Sequence, residues 1–226
     1  MLDVHPPHHR LEGLKDFSIH LLTITVGLLI AVGIEGCVER HQHRELAQDA
    51  RETLHREIEG NSKTIADVLP EISKEQTKVN DAIVFLKRVR QNPKDKKLQN
   101  GSINADFSPI TLDDTAWKTA QTTGALAFMP YEEADRYSGI YAAQYQVQIS
   151  QEKTNDDLAH FIGTARKYDL DKDITPEAAS AILEILGVMQ THLATVEVMA
   201  QKAAAIDKNF LTGKDNPINF NFEIKN

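Results

Sequence analysis

Phe17-Ser-Ile-His-Leu-Leu-Thr-Ile-Thr-Val-Gly-Leu-Leu-Ile-Ala-Val-Gly-Ile34 contains no Asp, Glu, Lys or Arg, in a chain in which 26% of residues are charged. As a helix it is about 27 Å long at about 1.5 Å per residue, close to the ~30 Å hydrocarbon thickness of a bilayer. The stretch reads as one transmembrane helix over 17–37, behind an N-terminal segment 1–16. Leu11, Leu14, Phe17 and Leu21 recur at helical spacing and lead into the span. A cleaved signal peptide needs a small-x-small site, and none follows Ile34. A lipoprotein signal would suit Gly36-Cys37, but Glu35 stands where a small or apolar residue is required.

Charge sets further bounds. A net charge of −8 and a pI near 5.6 exclude a broad phosphate-binding surface, so nucleic acid is not an expected partner. Cys37 is the sole cysteine, which rules out an internal disulfide and a multi-cysteine metal site. Arg10 and Lys15 precede the span, and Arg40, Arg44 and Arg51 follow it. That one-residue excess alone favours a cytoplasmic domain, and the N-terminal amine offsets it.

Beyond the span, Leu54, Ile58, Asn61, Ile65, Val68, Ile72, Glu75, Val79, Ala82, Leu86 and Val89 alternate in steps of four and three. This heptad seam predicts a long charged stalk helix over 38–92, kinked near Pro70. A loop covers 93–110, and a bundle covers 111–210. Thr111 with Asp114 has the form of a capping box for a short helix running through Trp117 to about Phe128. Pro130 suits the first turn of the next helix, whose buried side takes in Tyr137, Ile140, Tyr141, Gln144, Leu158, Phe161, Ile162 and Ala165. Thr175 caps a last helix that begins at Pro176. Its seam reads Ile182, Ile185, Met189, His192, Val196, Met199, Ala203 and Ile206. A tail, 211–226, carries alternating Phe220 and Phe222. The fold class is therefore all-α: one N-terminal transmembrane helix continuing into a long stalk helix and an antiparallel helical bundle.

Candidate sites follow from these registers. Thr23, Gly27, Ala31 and Glu35 are four apart, and the small members would let two spans approach, a self-association face. A small oligomeric channel would use Glu35 and His20, although Glu35 lies at the span's end, where a carboxylate easily reaches water. Asn61, Glu75 and His192 interrupt apolar seams; polar seam residues fix register and partner number, and His192 reads as a hydrogen-bonded core histidine. Trp117, Tyr137 and Tyr141 could line a ligand pocket, or simply be aromatic core.

No metal and no cofactor are expected. Asp169, Asp171 and Asp173 imitate the start of a calcium loop, but Ile174 and Ser180 stand where Gly and Glu are needed. Glu52 with His55, and Asp157 with His160, have di-iron half-site spacing without two further inward carboxylates. His5, His8 and His9, and His41 with His43, lack a fixed second ligand pair. No nucleophile motif or phosphate-binding glycine loop is present, so no catalytic residue is assigned.

The run Ile24-Thr-Val-Gly-Leu-Leu-Ile-Ala-Val-Gly-Ile-Glu35, the charged helix after it, and Ala116-Trp117, Thr123-Gly124-Ala125-Leu126, Tyr137 and Ile140-Tyr141 carry a resemblance. Over residues 15–145 the chain resembles bacterial single-span membrane proteins that hold a domain of unknown function. The resemblance implies a bacterial inner-membrane location with a cytoplasmic N-terminus and a periplasmic domain, and it transfers no catalytic residues. The expected function is a membrane-anchored interaction or scaffold protein that self-associates. Its partners are the bilayer, further copies and an unidentified membrane protein. Ligand sensing by the helical domain is the alternative.

Overall fold

The structure, a computed structural model, describes residues 13–100, 103, 105–169 and 173–214. The early histidines, Asp171 and the Phe220/Phe222 tail lie outside the described residues. The chain is all-α, with no strand among the described residues: α1 Leu14–Gln91, α2 Thr115–Thr122, α3 Tyr131–Lys167 and α4 Pro176–Leu211. Short 3₁₀ turns at Leu98–Asn100 and Ala125–Phe128 fill the crossover between α1 and α3. Two compact units divide the chain at Asp49 and Ala50.

In the first unit, the 17–34 stretch of α1 presents apolar side chains on every side. Phe17, Leu22, Ile24, Leu28, Leu29 and Ile34 are all more than half exposed, and the apolar residues between them are similarly open. Ser18, Thr23 and Thr25 donate their hydroxyls back to the carbonyls of Leu14, Ile19 and Leu21 at 2.7–2.9 Å. Two helices, α1 and α4, are long and apolar enough to cross a membrane. They differ in cover: none of α1's most apolar window is buried, against 39% of α4's. The α4 window supplies core to the second unit.

In the second unit the α1 seam is buried as its period predicts. Leu54, Ile58, Ile65, Ile72, Val79, Leu86 and Val89 are 0–1% exposed, and only Val68 is half-buried. The helix is continuous through Pro70. Val79 to Val89 pack with Phe161, with Ile174 and with the Ala178–Leu193 part of α4; Ile65 and Ile72 pack with Val147, Val196, Ala200 and Ala203. This seam is covered by other elements of the same unit.

Directions follow from cross-helix bonds. Asp157 meets His192 and Gln144 meets Asp207, so α3 and α4 are antiparallel. Arg51 meets Glu133, Glu57 meets Tyr141 and Asn61 meets Gln144, so α1 and α3 run the same way. Two parallel neighbours need a connection that travels back along the bundle, and residues 92–130 provide it. Between α3 and α4 a short turn suffices, with Thr175 Oγ1 accepting from Ala178 N–H at 3.2 Å as the N-cap.

Four local expectations are corrected. Thr111 caps nothing: α2 begins after Asp114, whose side chain pairs with Lys118 at 2.8 Å instead. Pro130 is the N-cap of α3, one position before its first residue. On α4 the predicted Ile182, Met189, Val196 and Ala203 are fully buried and Ile185 is buried, but the second fully buried row is Leu186, Leu193, Ala200 and Asp207, one residue beyond the predicted His192, Met199 and Ile206. Ile162 of α3 is 40% exposed, because the buried side passes through Gln151 and Thr154.

Thr154 Oγ1 is fully buried with no hydrogen-bond partner, an arrangement that costs about 1–3 kcal/mol. Thr154→Val keeps the shape and removes that cost, so urea unfolding should show equal or higher stability. Leu186→Ala should instead cost about 2–5 kcal/mol. A Thr154→Val variant that loses as much as Leu186→Ala contradicts this packing.

Candidate functional site

Polar side chains inside the bundle converge on the crossover. Asn61 is 3% exposed and grips one loop residue at both ends of its peptide: Asp113 N–H donates to Oδ1 at 2.9 Å, and Nδ2 donates to Asp113 C=O at 2.7 Å. Gln151 does the same to Ile110, at 2.6 Å in each direction. Gln99 does it to Ile174, at 2.8 and 3.3 Å. Each side-chain amide supplies the donor and acceptor that a neighbouring strand would otherwise give. Gln148 adds a bond from Nε2 to Leu112 C=O at 3.0 Å.

Asn61 also donates to Gln144 Oε1 at 2.8 Å, and Gln144 Nε2 donates to both oxygens of Asp207 at 3.1 Å. Asp207 has no exposed surface and no ion-pair partner among the described residues. Burial pushes its carboxyl up to about 7, against a smaller lowering by the Gln144 bond.

A parallel arrangement opens α2. Glu57 reaches across from α1 and accepts from Ala116 N–H at 2.8 Å and Trp117 N–H at 3.4 Å, capping the first turn of α2 from another helix. The same carboxylate accepts from the Tyr141 hydroxyl at 2.7 Å. Burial and then that bond hold the Tyr141 phenol far above its usual range. Trp117 stacks on Tyr141 with ring centroids 5.1 Å apart and planes 13° from parallel. The two rings wall a groove of about 350 Å³ whose floor includes Gln144 and whose rim includes Asp113, Asp114 and Tyr145. Gly124, in the left-handed region at φ 73°, ends α2 beyond it.

Of the three predicted pocket aromatics, Trp117 and Tyr141 come together. Tyr137 does not join them: its ring tilts against Phe210 at 5.3 Å, which in turn meets His55 at 5.7 Å. Tyr137, His55, Arg51 and Arg56 border a separate shallow groove. There Arg51 forms a two-bond pair with Glu133, at 2.6 and 2.9 Å.

The polar seam residues have found partners within the chain. Glu75 is 8% exposed, pairs with Lys78 and accepts from Asp106 N–H at 3.3 Å; Lys78 also reaches Asp106 at 2.9 Å. Burial raises the Glu75 carboxyl. His192 Nδ1 lies 2.6 Å from Asp157 Oδ2 at the edge of the α3–α4 contact, half-buried and beside the apolar row. Thr23, Gly27, Ala31 and Glu35 are all exposed on α1, and a methyl group added at Gly27 would meet nothing within 4 Å. His20 is exposed as well. Among the described residues no three His, Cys, Asp or Glu side chains gather as a metal site. Comparison of the chain with protein-family models, curated proteins and solved structures finds no match.

Glu57, Gln151 and Asp207 were not singled out by sequence pattern. Glu57 lies between seam positions among other charged residues, and Asp207 follows Ile206 at what reads as the seam's edge. Only the period carried by Leu186, Leu193 and Ala200 would have placed Asp207 inside.

Raising a carboxyl above its unfolded value makes folding release stability as pH rises. The contribution of Asp207 is fully present below the unfolded value of 3.8 and is lost as pH climbs through about 7. Relative to Asp207→Asn, wild type should lose on the order of 4 kcal/mol between about pH 4 and about pH 8. Urea titrations of both proteins at the two pH values measure the difference. An unchanged difference would show that Asp207 is not buried as an unpaired acid.

Proposed function

We propose that this chain is a single-span protein of a bacterial inner membrane whose helical bundle, on the periplasmic side, acts as a non-catalytic interaction module, and that copies associate through the span. The supporting observation is the apolar stretch of α1 from Phe17 to Ile34, exposed on every side. At about 1.5–3 kcal/mol for each large apolar side chain moved out of water, leaving that surface wet costs more than the whole stability of a typical domain. A stripe would suit one partner helix; exposure all round suits a surrounding solvent of hydrocarbon. The internal donation of Ser18, Thr23 and Thr25 fits the same environment, since it leaves no hydroxyl in need of water.

Self-association rests on Thr23, Gly27 and Ala31, the small residues at spacing four, with Glu35 beyond them. The non-catalytic reading is supported by how the interior polar groups are used: Asn61, Gln144, Gln151, Glu57 and Glu75 are all engaged in holding backbone or one another. A second reading, ligand binding by the bundle, draws on the groove walled by Trp117 and Tyr141.

Wild type should stay with membranes through alkaline extraction, whereas Ile24→Lys with Leu28→Lys should move into the supernatant. In mild detergent, sedimentation should show an oligomer that Gly27→Ile converts to monomer. Extraction of wild type without detergent would sink the anchoring, and a wild-type monomer would sink the association alone.

A further inference from the structure

Three aromatic side chains and one unclaimed carboxylate meet in the groove beside α2. Trp117 is half-buried, spends one ring face on Tyr141, and lines the groove with what remains. Tyr145, one turn along α3 from Tyr141, is 59% exposed and has no hydrogen bond or ring contact among the described residues. Tyr141 itself donates its hydroxyl to the Glu57 carboxylate at 2.7 Å. A phenol bonded to an anion gains electron density, so the stacked rings in front of Glu57 carry a more negative face and attract a cation more strongly.

The charges on the rim leave one sign over. Asp114 is taken by Lys118 at 2.8 Å, a pair that is neutral as a unit. Asp113 is exposed, and its carboxylate has no bond and no ion pair among the described residues. Asn61 clasps the Asp113 peptide from both sides, so this carboxylate hangs from a fixed backbone. Several donors that would hold an anion are already spent: the N–H groups of Ala116 and Trp117 go to Glu57, and the NH₂ group of Gln144 on the floor goes to Asp207. Gln148 uses Nε2 on Leu112 C=O, which leaves its Oε1, an acceptor, for the groove.

We propose that this groove is a binding site for a small organic cation, an alkylated ammonium seated against Trp117 and Tyr145 and facing the Asp113 carboxylate. Such a cation is the occupant in the ligand-binding reading of the bundle, on which this rests; anchoring in a membrane plays no part. Alkylation suits the walls. A bare ammonium is strongly hydrated, whereas a methylated one gives apolar surface to the rings and keeps its charge for their faces and for the carboxylate. The volume of about 350 Å³ is at the small end of the usual range for ligand sites, which limits the occupant's size.

Trp117 is the sole tryptophan and lines the groove, so its emission reports occupancy. The full chain in non-ionic detergent is titrated, at constant ionic strength, with choline, with its uncharged carbon isostere dimethylbutanol, and with the anion pivalate. Choline should change the emission saturably in the millimolar range, and the other two should change it little. Asp113→Asn and Tyr145→Leu alter exposed side chains, and each should weaken choline binding about two- to fivefold. Lys118→Ala should tighten it, because it removes a cation from the rim and frees Asp114. Dimethylbutanol or pivalate acting as strongly as choline, or in its place, overturns the cation and leaves ligand binding standing. Silence toward all three overturns both. A choline response unchanged in Asp113→Asn and Tyr145→Leu, or weakened in Lys118→Ala, overturns the site.

Discussion

A peptide group carried into a protein interior has to be hydrogen-bonded, and the crossover from α1 to α3 has neither helix nor sheet to do it at Ile110 and Asp113. Ile110 and Leu112 are 2% and 5% exposed, so their apolar side chains take the backbone down onto the bundle. Gln151 and Asn61 make that burial affordable in free energy by pairing both polar groups of Ile110 and Asp113. The topology depends on it: α1 and α3 run the same way, and only a long return segment laid along the bundle can join them. Gln99 fixes the other end of the bundle by the same means, through Ile174 next to the α4 cap.

The same polar interior links elements that apolar packing alone would leave independent. Glu57 ties the start of α2 to α1 and to Tyr141 on α3, and Tyr141 carries Trp117 on its ring. Asn61 ties α1 to the loop and to Gln144, and Gln144 ties α3 to Asp207 on α4. Apolar cores are tolerant of small shifts in register, whereas a line of amides with fixed donor and acceptor ends is not. The bundle therefore has one arrangement in which these groups are all satisfied, and its groove inherits that definition.

Periodic features were legible in the sequence, and single polar contacts were not. The α1 seam from Leu54 to Val89 was readable because its apolar positions repeat in steps of four and three through Pro70. Thr175-Pro176 marked the α4 start through cap chemistry, and the apolar run 17–34 stood out by its lack of charge. Asn61 and Glu75 could be picked out as interruptions, but their meaning could not: a polar seam residue serves equally to pair with another chain or to hold a loop of its own. The loop it holds is 52 residues away for Asn61. Glu57 was hidden for the same reason, since a helix capped by a distant carboxylate leaves no local signal, and Thr111 offered a local one that the chain does not use. His192 was placed one position too deep because Ile185 and Met199 compete with Leu186 and Ala200 for the same seam.

Amide hydrogen exchange at Ile110, Asp113 and Ile174 tests the clasped crossover most directly. These three N–H groups lie outside every helix, and each donates to a side-chain amide oxygen. Protection comparable to that of the buried helical amides of α3 and α4 is expected at all three. Exchange at the rate of an open loop would contradict the clasps, and with them the connection from the crossover to Asp207.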